Sequence, residues 1–517
     1  AAFVWAIFEM ERRLEDLSEE IRSGRIEYPV RLPYGIAVAP KGAGFWGAGK
    51  LLAHNLPLGA NPSRDTTAAR RFRESARKLW VAPEELRTAL EKFAAHGNSG
   101  RVRERDHPLA CRDVRAELPP VESARAIPAD RRDPAHWTTS SPMSAVDETF
   151  LAVVRANPGL RPRVGNPDEM RSNRMVATLE ALKFRVTAPE RGLPEAVEGA
   201  VITALNEEAI VCAALGNKGG VNIVVTYEAF GMKMHGALRQ EIVFAEELRH
   251  AGRPPGWLSV PIVLASHAWE NAKNERSHQD PSLAEALLGE SSDVSRVVFP
   301  ADAGSAGAAI RAVFSTRGEI WTLVVPKAES VAELFEPAEA ERLMNEGAIE
   351  LDWAGFEPDR ARLSLTAVGA YQLAEVLKAS FRLAGKGVPH SVVYLAEPGR
   401  FRRPRTEGER RHVVAAERIA ALWPSSAEAR VFVTHTRPEA LLGVLAPEVT
   451  GSHPVGLGFS NRGGTLDTRG MLFVNGASWA HVLEASAKLL ETPLDAWLGK
   501  DELSALRGEI APFPSLG

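Results

Sequence analysis

Ile262-Val263-Leu264-Ala265-Ser266, running into His267-Ala268-Trp269-Glu270-Asn271-Ala272-Lys273-Asn274-Glu275-Arg276-Ser277-His278-Gln279-Asp280-Pro281, is the stretch whose reading decides the fold. A short apolar strand opens into about fifteen mostly polar residues, a length that packing alone does not require and that is commonly functional in an ordered loop. The same alternation recurs around it. Strands are predicted at Ala200 to Ala204, Asn222 to Thr226, Val297 to Phe299 and Trp321 to Val325, each followed by a polar loop or a helical stretch. From about Ala145 onward this is the pattern of a doubly wound α/β domain. A second such block begins near Ala361, with strands expected at Leu363 to Ala367, His390 to Leu395, Ala429 to Thr434 and Met471 to Val474.

Upstream, Ala1 to Phe8 starts an amphipathic helix, Tyr34 to Ala39 reads as a short buried strand, and residues 64–95 read as helices. Prolines and charges cluster without periodicity between Arg101 and Asp133, which marks a linker. The 517 residues exceed a single core and suggest about two to four domains. Apolar residues at 45% and charged residues at 25% belong to a folded globular chain. A net charge of -4 gives no chain-wide positive field, so nucleic acid and anionic lipid are not expected partners. Cys111 and Cys212, the two cysteines, are too few for a disulfide framework and fit a reducing cytoplasm. No apolar run is long enough to cross a bilayer.

Two motifs are set aside. Gly42-Ala43-Gly44-Phe45-Trp46-Gly47 has dinucleotide-loop spacing, but Asn55, Pro57 and Asn61-Pro62 leave little room for the helix that must follow. Gly44 to Lys50 has P-loop spacing, but Leu51 stands where magnesium needs Ser or Thr. A glycine-rich turn is the better reading. Six arginines between Arg400 and Arg411 face only Glu407 and Glu409, and read as a solvated loop before an anion or docking site.

In open α/β sheets ligands bind beyond the carboxyl ends of strands. Three segments qualify: Leu205-Asn206-Glu207-Glu208-Ala209, Tyr227-Glu228-Ala229-Phe230, and the loop after Ser266. Each also has a purely structural reading. Asn206 is a favoured helix cap with acids in the first turn, and two aromatics after a strand are more often core.

Ser266 to Pro281, and Ser277-His278-Gln279-Asp280-Pro281 within it above all, resembles the loop that closes over substrate in phosphoketolases. Pro167-Asp168-Glu169-Met170-Arg171-Ser172-Asn173-Arg174 is similar to that family's PDE-xx-SNR segment. Leu205 to Glu208 and Tyr227 to Phe230 fall in order as its LSEH and YESF segments. Pro40-Lys41-Gly42 and His54-Asn55-Leu56-Pro57-Leu58 look like TPKGW and HQVPL, and Gly456 to Asn475 loosely resembles its C-terminal glycine-rich strand region. The resemblance extends along the chain but is specific only in the first half.

The resemblance implies two doubly wound α/β domains, a pyrimidine-binding domain over 146–350 and a transketolase-like C-terminal domain over 351–517. Before them would come the tail of a diphosphate-binding domain (1–63) and a linker (64–145). It implies a thiamine diphosphate enzyme that cleaves a ketose phosphate and passes an acetyl unit to phosphate. Glu207 would face the aminopyrimidine ring, Tyr227 and Phe230 would wall it, and Glu169 would be a further cofactor contact. His54 and His278 would serve acid–base chemistry. Ser172, Arg174, Asn274 and Lys327 would hold phosphate, with Asn271 and Gln279 also on the substrate. Lys273, counted with Glu207, His54 and His278 among the catalytic residues, stands where the family has a histidine, and Glu275-Arg276 where it has Gly-Phe, so substrate, acceptor or dehydration step is expected to differ.

The family's Gly-Asp-Gly magnesium motif does not occur, and no metal ligand is assigned here. Magnesium or calcium is expected through a partner chain carrying the diphosphate domain, in a dimerising heteromer. The alternatives are two-carbon transfer to a sugar acceptor, as in transketolase, and a non-catalytic regulatory subunit.

Overall fold

The computed structural model describes residues 2–25, 30–36, 38–50, 53, 58–97, 112–120, 127–167, 170–265, 268–270, 272 and 274–516. The chain divides into two compact units, 1–111 and 112–517.

The first unit holds the helices α1 (Ala2–Arg22), α2 (Thr66–Lys78) and α3 (Pro83–Gly97). Glu9 of α1 pairs with Arg12 and Arg13, the spacings that meet on one helix face. Asp65 starts α2 by accepting the Ala68 N–H at 2.7 Å. The strand expected at Tyr34 to Ala39 does not form. Its described residues are irregular, with Tyr34, Ile36 and Val38 exposed at 83%, 79% and 93%. No strand among the described residues of this unit offers them a ladder, and an isolated strand leaves its own N–H and C=O groups unpaired. Lys41 to Gly49 is a succession of turns with Gly42, Gly44, Gly47 and Gly49 at positive φ, as a glycine-rich turn requires.

The second unit contains two large sheets and one two-residue antiparallel pair, Thr139–Ser140 with Ser330–Val331. The larger is built from β1 (Pro162–Gly165), β2 (Phe184–Arg185), β3 (Glu195–Ala196), β4 (Val201–Ile202), β5 (Val221–Tyr227), β6 (Val260–Ala265), β7 (Ser295–Val298) and β8 (Ile320–Val324). Their order is β3-β2-β4-β1-β5-β6-β8-β7, and every pairing is parallel. All six residues of β6 are buried, so the apolar run read from the sequence is a strand covered on both faces. The expected strand at Ala200 to Ala204 shrinks to its two central residues. Because the strands run alike, the carboxyl ends of the neighbours β1, β5, β6 and β8 open on one edge. The helix α4 (Pro142–Ala156) packs on this unit, and α5 (Glu207–Leu215), α6 (His235–His250) and α7 (Ala303–Ser315) connect strands within it.

The smaller sheet has β9 (Ala348–Glu350), β10 (Leu363–Val368), β11 (His390–Leu395), β12 (Ala429–Thr434) and β13 (Val455–Leu457). The order is β9-β11-β10-β12-β13, with only β9 antiparallel. The helix α8 (Ala370–Gly385) follows β10. The strand expected at Met471 to Val474 is instead the end of a helix, α9 (Thr468–Val474). Asp467 accepts the Gly470 N–H at 2.8 Å, and Met471 and Leu472 are buried from that helix. Four consecutive apolar residues carry no period that separates strand from helix.

Of the crowded arginines, Arg403, Arg410 and Arg411 are solvated as expected, whereas Arg402 and Arg405 are fastened. Arg402 donates to the carbonyls of Leu288 and Glu290, and Arg405 grips the buried Glu409 and the Gly289 carbonyl. No helix among the described residues is long and apolar enough to cross a membrane.

Candidate functional site

Tyr227 closes β5, Lys327 lies just past β8, and Ser172 sits in the turn after β1. Sheet order brings them together. The Ser172 and Tyr227 hydroxyls are 2.8 Å apart, and Lys327 Nζ donates to Ser172 Oγ at 3.0 Å and to Tyr227 OH at 3.3 Å. The same ammonium stands 4.4 Å over the Tyr227 ring. An ammonium with two hydroxyls is a donor set for an anionic oxygen.

An aromatic wall adjoins it. The Tyr227 and Phe230 rings are stacked with centroids 6.3 Å apart, and the His278 ring meets Phe230 edge-on at 4.7 Å. Ser277 Oγ donates to the Asn274 carbonyl at 2.7 Å and lies 2.8 Å from His278 Nδ1. With the hydroxyl hydrogen committed to Asn274, Nδ1–H donates to Ser277, which makes Nε2 the acceptor of a neutral ring. Burial and the nearby Lys327 charge both lower the His278 pKa, so the neutral form dominates near pH 7.

Glu207 is the first residue of α5, and Asn206 caps that helix by accepting the Ala209 N–H at 2.9 Å. The structural reading of this segment, an Asn cap followed by acids in the first turn, is what the helix shows. The Glu207 carboxylate is buried and pairs with Lys233 Nζ at 3.1 Å, while the same Nζ lies 4.8 Å above the Phe230 ring.

A further set of groups holds the loop and the strand ends. Glu270 accepts the backbone N–H of Lys327 at 3.3 Å and the Tyr371 hydroxyl at 2.9 Å. Desolvation pushes its carboxyl up to about 7 against those donors. Glu228, fully buried, accepts the Ala268 N–H at 2.7 Å and lies 2.8 Å from His435 Nε2. Burial drives His435 down to about 3, so the ring is neutral. The His435 carbonyl accepts Trp269 Nε1–H at 3.0 Å. Tyr371 and His435 come from beyond β10 and β12, so the smaller sheet supplies part of this edge.

Of the remaining expected residues, Arg174 is exposed at a φ of 62° and Asn274 is exposed. Gln279 is buried with its amide donating to the Gly464 carbonyl at 3.0 Å, toward the smaller sheet. His54, Glu169, Asn271 and Lys273 lie outside the described residues. Among the described residues, no group of three or more His, Cys, Asp or Glu is placed to hold a metal ion. Glu228, Lys233, Glu270, Tyr371 and His435 were not singled out from sequence. For Tyr371 and His435 the available signal was position, just beyond a predicted strand.

The mixed α/β architecture with largely parallel sheets resembles, in fold, that of solved transketolases. A transketolase from Leishmania mexicana aligns with a TM-score of 0.53 at 16% identity, covering 83% of this chain and 55% of that one. A Pichia stipitis transketolase mutant, in a structure whose title names a complex with xylulose 5-phosphate, aligns at 0.51 and 15%, with the same coverage. In sequence the chain is phosphoketolase-like: residues 144–316 match the family model described as D-xylulose 5-phosphate/D-fructose 6-phosphate phosphoketolase. A "Probable phosphoketolase" of Bifidobacterium animalis subsp. lactis is 26% identical over 331 residues, 60% of this chain and 39% of the relative. One from a Synechocystis species is 25% identical over 400 residues, 72% of this chain and 48% of the relative. The chain thus spans half or less of the length of these relatives.

Proposed function

We propose that the chain supplies the ring-activating and sugar-phosphate-holding part of a thiamine diphosphate enzyme that cleaves a ketose phosphate in the manner of a phosphoketolase. The observation that carries this reading is the juxtaposition, at the edge of one parallel sheet, of a buried carboxylate, a stacked aromatic pair and a lysine–hydroxyl cluster. The residues present fit the ring half of that cofactor. Glu207 and the Phe230 face are both within reach of one ammonium, the pair of contacts a flat, proton-bearing ring would take up. Among the described residues there is no cluster fitted to a metal-bridged diphosphate.

Thiamine diphosphate supplies the carbanion chemistry when bound. Glu207 holds or moves a proton at a ring nitrogen, and Tyr227 and Phe230 exclude water from one ring face. Lys327 and Ser172 hold the substrate phosphate, with Arg174 within the same turn as Ser172. His278, neutral and accepting at Nε2, takes a proton from a substrate hydroxyl. Magnesium or calcium would come with a partner chain bearing a diphosphate-binding domain.

The test is Glu207→Gln in the chain with its co-purified partner, assayed for acetyl phosphate from a ketose phosphate. Turnover should fall by about a hundredfold or more with the fold retained. Unchanged turnover would remove Glu207 from the reaction, and a sugar product without acetyl phosphate would replace phosphate as acceptor.

A further inference from the structure

Lys233 occupies an unusual position for a surface lysine. It lies in the short turn Met232–Met234 between Phe230 and α6, with its side chain 61% exposed. Its ammonium nevertheless reaches inward, 3.1 Å from Glu207 Oε1 and 4.8 Å above the Phe230 ring. Those two contacts are the ones a ring cofactor needs, a proton-bearing nitrogen toward the carboxylate and a body over the aromatic face. Methionines flank it in sequence, and its own stem packs little, so the contact is electrostatic rather than part of the core.

We propose that Lys233 is a specificity-determining residue that holds the ring half-site, so that a ring is admitted only if it can replace the ammonium at both Glu207 and Phe230. The inference rests on the reading of Glu207 and Phe230 as ring-binding residues. A ring that stacks but offers no hydrogen to Glu207 would leave a buried carboxylate without its cation, which is costly. A ring that offers one exchanges partner for partner. Because the lysine is more than half exposed, its hold is modest: an exposed ion pair and a cation–π contact together resist displacement by about three- to tenfold.

The measurement is binding of thiamine diphosphate with magnesium to the full chain together with its co-purified partner, by calorimetry, for wild type, Lys233→Met and Lys233→Arg. Methionine keeps the stem and removes the charge. It should tighten binding about three- to tenfold, whereas arginine, which restores the pair, should stay close to wild type. In a Glu207→Gln background the methionine substitution should give no further gain. A lysine of purely structural importance would weaken binding when replaced, so the direction of change separates the two roles.

Acetylation of Lys233, followed by mass spectrometry, gives a second readout. It should rise when thiamine diphosphate displaces the ammonium from Glu207. Equal or weaker binding by Lys233→Met would overturn the inference while leaving the ring site in place. Binding by neither wild type nor Lys233→Met, with Lys233 acetylation unchanged by the ligand, would overturn the ring-site reading itself.

Discussion

Lys327 is the residue on which the anion-holding cluster turns, since both hydroxyls near it are oriented by its ammonium. Lys327→Met keeps the length of the side chain and leaves the backbone N–H for Glu270, but on the proposed function it removes one charge-assisted contact to the substrate phosphate, a contact of about 1.5–3 kcal/mol. The KM for a phosphorylated ketose should rise about ten- to hundredfold, with kcat changed less; an unchanged KM would place the phosphate elsewhere. Ser172 and Tyr227 sit in segments that carry the phosphoketolase resemblance, Lys327 was expected from that resemblance without a motif of its own, and their meeting is what the structure adds. Glu270 and Glu228 were in quoted segments too, yet nothing local marked them. Their partners Tyr371 and His435 lie 101 and 207 positions away, beyond strands of the other sheet, and a spacing of that size has no periodic signature. Lys233 was illegible for a different reason: a lysine between two methionines reads as solvated surface.

At the scale of elements, buried strands were read to within a residue or two where they were apolar and bounded by polar loops, as at β11 and β12. Short elements failed. Two-residue strands such as β2 and β3 carry too few residues to show a pattern, and the apolar run in α9 was decided by its Asp467 cap. The cap of α7 shows how much one side chain can settle. Asp302, fully buried, accepts the Ser305 N–H at 2.8 Å in a capping box, and also the N–H groups of Leu334 and Phe335 at 2.7 and 3.0 Å. Asp302→Ala removes the cap and strands two further donors in the interior, so unfolding free energy should drop by about 3 kcal/mol. Urea denaturation of the full chain measures it, and a loss below about 1 kcal/mol would mean that the three donors find other partners.

Across the 112–517 unit the two sheets are joined by buried polar contacts as well as by a shared core. Arg296 of β7 holds Glu397, beyond β11, through two hydrogen bonds of 2.7 and 2.6 Å. Burial alone would raise the Glu397 carboxyl, but the Arg296 charge and hydrogen bonds, with His412, outweigh it and hold the group at about 2. A depressed acid stabilises the folded state above its ordinary pKa of 4.5, and that contribution is lost as pH falls toward 2. Glu270 has the opposite sign. Its folded value is about 7 against an ordinary 4.5, so between those pH values the folded state keeps a proton that the unfolded chain has released. Stability must then fall as pH rises through that window, by up to about 3 kcal/mol, and level off above it. Glu270→Gln removes the titrating group while keeping an oxygen for the Lys327 N–H and an amide within reach of Tyr371. Chemical denaturation at intervals from pH 4.5 to 8 should show a descending limb in the wild type and a flatter one in the variant. Parallel limbs in the two proteins would show that the proton uptake between pH 4.5 and 7 belongs to another group.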